Sequence, residues 1–162
     1  MSEEAMTVTL TVNGEQVTRL VAVRQHLVDF LRTELGLTGS HLGCEHGICG
    51  ACTIRVDGSV VRGCLMLAVQ ADGAEVETVE GLTKSGEISD LQENFVERDA
   101  LQCGFCTPGI LITAAELLRE ATPQTRDEIR TFLSGNYCRC TGYHAIVDAV
   151  ETTLNQRLDG SS

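Results

Sequence analysis

The 162-residue sequence predicts an α+β protein, in which a small mixed α/β half is followed by a helical half. Apolar residues alternate with polar ones in the N-terminal half, as in half-buried strands. In the C-terminal half they recur every three to four residues, as in amphipathic helices. Glycines and a serine between residues 81 and 86 interrupt both patterns. We therefore predict one domain over residues 1–80, a linker over 81–86 and a second domain over 87–162.

The first half begins with a predicted β-hairpin. Residues 7–12 alternate in polarity, Asn-Gly at 13–14 is a strong two-residue turn, and residues 16–23 form the returning strand. A glycine-rich loop, a second hairpin with Asp-Gly at 57–58 and a strand at 74–79 follow the helix of this half. The helix has four apolar residues at helical spacing and a glycine as its predicted C-cap, namely Leu27, Phe30, Leu31, Leu35 and Gly36.

Four short helices are predicted in the second half, which suggests a helical bundle. Pro108 stands at the start of the second helix, and Thr125 and Glu128 have the spacing of a capping box at the start of the third. The apolar positions of the four helices are Leu91, Phe95 and Val96; Ile110, Leu111, Ala114, Leu117 and Leu118; Ile129, Phe132 and Leu133; and Ile146, Val147, Val150 and Leu154.

The composition excludes several classes of protein. A formal net charge of −11 with no basic stripe argues against nucleic-acid binding, because phosphates require clustered Lys and Arg. No apolar run is long enough to span a membrane, and the N-terminus lacks the pattern of a signal peptide. We therefore predict a cytoplasmic protein. In that reducing compartment, eight cysteines indicate metal binding rather than disulfides.

The cysteines of the first half have the spacing of a plant-type [2Fe–2S] centre. They follow the pattern C-x4-C-x2-C in one loop, with a fourth after the second hairpin, and are Cys44, Cys49, Cys52 and Cys64. Gly43, Gly47 and Gly50 would let the loop curl tightly and leave backbone N–H groups free to point at sulfur. A structural zinc site is the alternative, although zinc usually takes two short cysteine pairs.

The other four cysteines form two close pairs, Cys103-x2-Cys106 and Cys138-x-Cys140. Each pair precedes a predicted helix, so both can meet at one end of a bundle, where helix N-termini favour thiolates. The Cys-x-Cys spacing fits two ligands of one dinuclear cluster and is uncommon for zinc. Because the two sets use all eight cysteines, no histidine needs to be a ligand.

Three segments, taken in order, resemble the iron–sulfur subunits of the xanthine oxidase family of molybdenum hydroxylases. They are residues 44–53 (CEHGICGACT), 102–109 (QCGFCTPG) and 133–143 (LSGNYCRCTGY), and the resemblance covers residues 6–157. The family includes bacterial carbon monoxide, aldehyde and N-heterocycle dehydrogenases. The resemblance implies a β-grasp, plant-type ferredoxin-like domain followed by a four-helix bundle that carries a second [2Fe–2S] cluster.

The resemblance also implies partners and a role. A large subunit with molybdopterin, in its cytosine dinucleotide form, would oxidise the substrate with oxygen from water. This chain would pass the electrons to a medium subunit with FAD, in a dimer of heterotrimers, as the non-catalytic part of the oxidoreductase. Gln102 would hydrogen-bond the pterin, and Cys103 would lie on the electron path. Gln102 could instead be an exposed polar residue, and Arg139 could either raise a cluster potential or form a surface salt bridge.

Two other functions remain open at this point. A free-standing two-cluster ferredoxin would carry electrons between soluble proteins, although a simple ferredoxin needs only the first domain. A structural zinc protein would have no redox role. Colour separates the zinc protein from the other two, because [2Fe–2S] proteins are red-brown and zinc proteins are colourless.

Overall fold

The computed structural model describes residues 4–120 and 122–160 of the protein. Five strands form one mixed sheet in its N-terminal part. The strands are β1 (Ala5–Val12), β2 (Glu15–Ala22), β3 (Thr53–Val56), β4 (Ser59–Arg62) and β5 (Glu75–Glu77). Their order in the sheet is β2-β1-β5-β3-β4. β1 and β5 are parallel, and the other neighbours are antiparallel.

Both predicted hairpin turns are confirmed. Asn13 and Gly14 have φ of 51° and 80°, and Asp57 and Gly58 have φ of 47° and 77°. Two consecutive positive φ values define the turn that matches the right-handed twist of the flanking strands. The second hairpin matters for function, because β3 directly follows Cys52 and β4 ends two residues before Cys64.

One helix, α1 (Leu27–Thr33), covers a face of the sheet. Its Phe30 and Leu31 are fully buried against Val8 and Ile54 of the strands, as the apolar spacing predicts. The prediction that Gly36 caps this helix is wrong, because the helix already ends at its C-cap Glu34. Gly36 lies two residues further on, with the positive φ of 68° that reverses the chain.

The C-terminal part contains five α-helices within the described residues, and a 3-10 helix, Leu133–Gly135, follows the fourth of them. The α-helices are α2 (Val79–Ser85), α3 (Ser89–Glu97), α4 (Thr107–Arg119), α5 (Arg126–Phe132) and α6 (His144–Gly160). Helices α3 to α6 correspond to the four predicted ones. None of the helices in the described part of the chain has the length and apolar character needed to cross a membrane.

Helix α2 occupies most of the segment that the sequence predicts as a linker. Its start is held by Asn13, whose Oδ1 accepts the Thr78 N–H at 2.9 Å, and it ends at Gly86, with φ of 82°. A Cβ at Gly81 would overlap the Asn13 side chain. This glycine therefore allows a close approach of the helix to the first hairpin rather than breaking the helix.

The helical core agrees with the predicted apolar positions except at two of them. Leu91 and Phe95 of α3 are buried, but Val96 is 69% exposed because it lies five residues from Leu91, off the buried face. Phe132 is 46% exposed at the end of a helix that buries only Ile129. The predicted capping box of α5 is confirmed.

A buried arginine joins the sheet to the helices. Arg55 of β3 is 4% exposed and packs where β3 meets α4. Its guanidinium contacts Glu77 of β5 at 3.1 Å, Glu87 at 2.9 Å and Glu116 of α4 at 3.8 Å. One cation thus holds three carboxylates from different elements, and removing it would leave like charges facing each other.

We predict that Arg55→Leu lowers the free energy of unfolding by about 3 kcal/mol, the low end for a buried ion pair. The low end applies because the carboxylates are 33% exposed. Arg19→Leu is the control, since the Arg19 side chain is exposed and its hydrogen bond among the described residues goes to the adjacent Thr18 carbonyl. Denaturant unfolding followed by circular dichroism measures both variants. An equal decrease in the free energy of unfolding in the two variants would contradict the role given to Arg55.

Candidate metal centres

The four cysteines of the first half converge at one end of the β3–β4 hairpin. The hairpin register pairs Thr53 with Arg62, so Cys52 and Cys64, just beyond the strand ends, come together. The thiols of this buried pair are within interaction distance of each other. Cys44 and Cys49 form a second close pair in the loop, and both are half-buried.

The two pairs of the first set lie in different electrostatic surroundings. The N–H groups of Cys49 at 3.3 Å and His46 at 3.4 Å donate to the Cys44 sulfur and lower the pKa of this thiol to about 6. Burial, helped by the neighbouring Cys64, raises the pKa of Cys52 to about 11. A thiolate at Cys52 therefore needs a compensating cation, which a bound metal would supply.

The loop glycines allow the tight curl that the sequence predicts, with φ of 74° at Gly47 and 75° at Gly50. The N–H groups that reach the Cys44 sulfur belong to His46 and Cys49. A Cβ on Gly43 would lie 3.0 Å from the Cys49 sulfur, and one on Gly47 would overlap Leu65. A Cβ on Gly50 would lie 2.5 Å from the Gly135 carbonyl. The glycines leave room for sulfur, for a covering side chain and for the helical part.

The second set also forms two pairs. The sulfurs of Cys103 and Cys140 are 3.6 Å apart and exposed, and the Cys106 and Cys138 thiols contact each other further inside. Cys106 is the N-cap of α4, and the turn before α6 supplies Cys138 and Cys140. The predicted meeting of two cysteine pairs at one end of the helices is confirmed.

Burial and neighbours also separate the second-set thiols. Burial, together with Cys138, raises the pKa of Cys106 to about 12. Burial acts against the Cys138 thiolate as well, but its pKa is lowered because the Thr141 hydroxyl donates to the sulfur at 3.1 Å. The hydrogen bond with Cys103 raises the pKa of Cys140. As in the first set, a metal would compensate the charge of the buried thiolate.

The pairwise arrangement fits dinuclear clusters. Two thiolates on one tetrahedral metal, with bonds of about 2.3 Å, are about 3.7 Å apart. The sulfurs of Cys103 and Cys140 are 3.6 Å apart, which matches this expected sulfur–sulfur distance. Each iron of a [2Fe–2S] cluster takes two protein ligands, so four cysteines should meet as two pairs. Within the described residues, no three His, Cys, Asp or Glu side chains converge on a position for a single metal ion.

The two cysteine loops touch each other. The Tyr137 N–H, next to Cys138, donates to the Cys49 carbonyl at 2.8 Å. The buried Asn136 amide donates to the Gly50 carbonyl at 3.0 Å, next to Cys49. Sequence reasoning missed Asn136, because a single Asn beside a cysteine motif gives no signal that its amide is buried.

His41 connects the first cysteine set to the segment between Cys103 and Cys106. Its ring stacks on Phe105 with centroids 4.6 Å apart, and its Nδ1 lies 2.9 Å from the Phe105 carbonyl. The His41 ring therefore packs between the two cysteine sets, whereas the His46 side chain is exposed.

Gln102 lies at the exposed edge of the second set. Its side-chain Nε2 donates to the Cys140 carbonyl at 3.2 Å, which places the amide beside the Cys103–Cys140 pair. Leu101 and Phe105 are large exposed apolar residues on the same segment. Arg139 is exposed as well, and no ion pair found among the described residues includes it.

Comparisons with known proteins identify both halves. Residues 10–83 match the family model described as 2Fe-2S iron-sulfur cluster binding domain, and residues 78–151 match the one described as [2Fe-2S] binding domain. The chain is 52% identical over 148 residues to caffeine dehydrogenase subunit gamma of Pseudomonas sp. (strain CBB1), covering 90% of this chain and 89% of the relative. It is 55% identical over 139 residues to nicotine 6-hydroxylase small subunit of Paenarthrobacter nicotinovorans, covering 86% and 84%.

A solved structure gives the same result. One chain in the crystal structure of quinoline 2-oxidoreductase from Pseudomonas putida 86 has a TM-score of 0.89 and 47% identity, with 98% of both chains covered. The matched models define the class, a protein with two [2Fe–2S] domains. More narrowly, the chain belongs to the small iron–sulfur subunits of the xanthine oxidase family of molybdenum hydroxylases, which confirms the predicted resemblance.

We predict that Gly50→Ala reduces the iron content per chain and the melting temperature, whereas Gly58→Ala has little effect on iron. Both glycines have positive φ, 75° and 77°, so both variants carry the same backbone cost of about 1 kcal/mol. Only at Gly50 does the new methyl group meet other atoms, because nothing lies within 4 Å of a Cβ at Gly58. Iron analysis and thermal melting of both variants test this. An equal iron content in the two would contradict the close-approach role of Gly50.

Proposed function

We propose that this subunit relays electrons between two partner subunits through two [2Fe–2S] clusters. The observation that carries the proposal is the arrangement of the eight cysteines as four thiol pairs in two sets, whose segments contact each other. The family supports it, because relatives are named as FeS or iron–sulfur-binding subunits of nicotinate dehydrogenase, aldehyde oxidoreductase and xanthine dehydrogenase. The clusters would supply one-electron redox chemistry, which links two-electron reactions at separate cofactors.

The thiol pairs define the proposed ligands of each iron. They are Cys44 with Cys49 and Cys52 with Cys64 in the first set, and Cys103 with Cys140 and Cys106 with Cys138 in the second. We assign the first set to a β-grasp ferredoxin-like domain, residues 1–80, and the second to a four-helix bundle domain, residues 87–162. The sheet and helices on which the two sets lie support this division.

The chain's own residues would control charge and water at each set. N–H groups of His46 and Cys49 donate to the Cys44 sulfur and would stabilise added negative charge there. The Thr141 hydroxyl does the same at Cys138. Burial of Cys52 and Cys64 would keep water from the first set on the side of the hairpin.

The exposed edge of the second set is the proposed contact with the molybdopterin subunit. Gln102 uses Nε2 on the Cys140 carbonyl, and no hydrogen bond within the described residues uses its Oε1. That oxygen can accept a hydrogen bond from a pterin edge. Cys103, beside it and exposed, would be the entry point for electrons. The cytosine dinucleotide form, the FAD subunit, the dimer of heterotrimers and a cytoplasmic location belong to the same proposal.

The two rival functions have less support. A free-standing two-cluster ferredoxin would not need an exposed glutamine at the second set, and the relatives above are named as subunits. A structural zinc protein would bring four cysteines to one point, whereas the thiols here meet in pairs. Both observations favour the subunit of an oxidoreductase.

We predict that Cys103→Ser abolishes the EPR signal of the second cluster and leaves that of the first intact, because only one ligand pair is broken. Cys44→Ser is the reciprocal control and should remove the other signal. Electron flow from substrate to acceptor should stop in both variants of the assembled complex. Two unchanged cluster signals with full activity in Cys103→Ser would contradict the ligand assignment.

We also predict that Gln102→Ala slows reduction of the second cluster by substrate about tenfold, within the range for residues that support a metal site. Both clusters should remain, because Gln102 contacts a carbonyl and not a sulfur. Gln124→Ala is the matched control, because the Gln124 amide donates to the Thr122 hydroxyl, far in the chain from either cysteine set. Stopped-flow spectroscopy measures the rate, and an unchanged rate in Gln102→Ala would exclude the pterin contact.

A further inference from the structure

Arg62 ends β4 and lies across the junction between the two cysteine loops. Its Nη1 donates to the Thr53 hydroxyl, one residue after Cys52. Its Nη2 donates to the Gly135 carbonyl at 2.7 Å, three residues before Cys138. One half-buried guanidinium therefore binds both loops that would hold clusters.

The charge of Arg62 is not neutralised by a carboxylate of the described residues. The arginines that form ion pairs there are Arg55, Arg119, Arg126, Arg130 and Arg157. Within the part of the chain that the structure describes, the acceptors of Arg62 are one hydroxyl and one carbonyl, which are both neutral. A guanidinium stays protonated at any ordinary pH, so a full positive charge remains at the junction.

A saturated hydrogen-bond network fixes the position of this charge. The buried Thr53 hydroxyl accepts from Arg62 and from Asn136 at 3.3 Å, and it donates to the Gly50 carbonyl at 2.5 Å. The oxygen of the Asn136 amide accepts from the Thr113 hydroxyl at 2.9 Å. The Thr53 hydroxyl is thus held in place by Asn136 and Gly50, so it offers the Arg62 guanidinium an acceptor at a fixed position.

We infer that Arg62 is a positioning residue whose charge raises the reduction potentials of both clusters, and this inference rests on the proposed relay function. Reduction adds one electron and thus one negative charge to a cluster, while no bond forms or breaks. A fixed cation in partly desolvated surroundings stabilises that added charge. The charge should raise the reduction potential of the first cluster more than that of the second, because Arg62 lies two residues from Cys64 and binds Thr53 beside Cys52.

Arg139, which the sequence also suggests for this role, is placed less favourably. Its side chain is exposed, so water and salt screen its charge. Arg62 is half-buried and held by two hydrogen bonds. Of the two arginines, the structure therefore favours Arg62.

The test is a potentiometric titration of the assembled complex, with each cluster followed by EPR. Arg62→Gln keeps hydrogen-bond donors but removes the positive charge. Arg62→Lys keeps the charge but loses the pair of guanidinium nitrogens that bind Thr53 and Gly135. Arg19→Gln removes an exposed charge and is the control. In Arg62→Gln we expect the oxidised-to-reduced ratio of the first cluster at a fixed potential to rise about tenfold, which is 59 mV for one electron. A smaller rise is expected for the second cluster, and none for Arg62→Lys or Arg19→Gln.

Either of two results overturns the inference. One is that the cluster potentials in Arg62→Gln equal those of the wild type. The other is that Arg62→Lys shifts the cluster potentials as much as Arg62→Gln does. If Arg62→Gln loses its clusters, Arg62→Lys decides: wild-type potentials support the role of the charge, and shifted potentials contradict it. A wild-type complex that lacks two cluster signals would contradict the proposed function itself, a different failure from unshifted potentials in a protein that has both.

Discussion

The rest of the site depends on the contact between the Cys49–Gly50 backbone and the segment that leads to Cys138. Asn136 binds the Gly50 carbonyl, and the Tyr137 N–H binds the Cys49 carbonyl. The contact is possible only because Gly50 has no side chain, and a Cβ on Gly109 of α4 would also overlap the Gly50 carbonyl. Two cysteine loops from different parts of the chain are thereby held in one fixed relation, as the proposed relay requires.

The elements that make this contact also form the framework of the fold. β3 begins beside the first cysteine set and packs against α4, and α4 begins at Cys106 of the second set. Further along β3, Arg55 binds carboxylates of β5 and α4. A neutral hydrogen-bond network at one end of β3 and a charged one along it thus hold the sheet against the helices. Displacing β3 would disturb both cysteine sets at once.

The sequence was informative where the chemistry is local. Cysteine spacing, the Asn-Gly and Asp-Gly turns and the Thr125–Glu128 capping box depend on neighbouring residues, and all of these appear in the structure. Features set by distant contacts could not be predicted. Gly81 suggested a break, but it lies in a helix packed on Asn13, 68 positions away in the chain. Asn136 and Arg62 act through partners in the other half, which no periodicity reveals.

The central claim is that this chain holds two dinuclear clusters in loops that are in contact. Low-temperature EPR of the dithionite-reduced native complex, with iron quantified in the same sample, tests it most directly. We expect two distinct S = 1/2 signals and about four irons per chain, as two dinuclear clusters require. One signal with half the iron would contradict a cluster on the second cysteine set, and no signal with no iron would contradict the whole account.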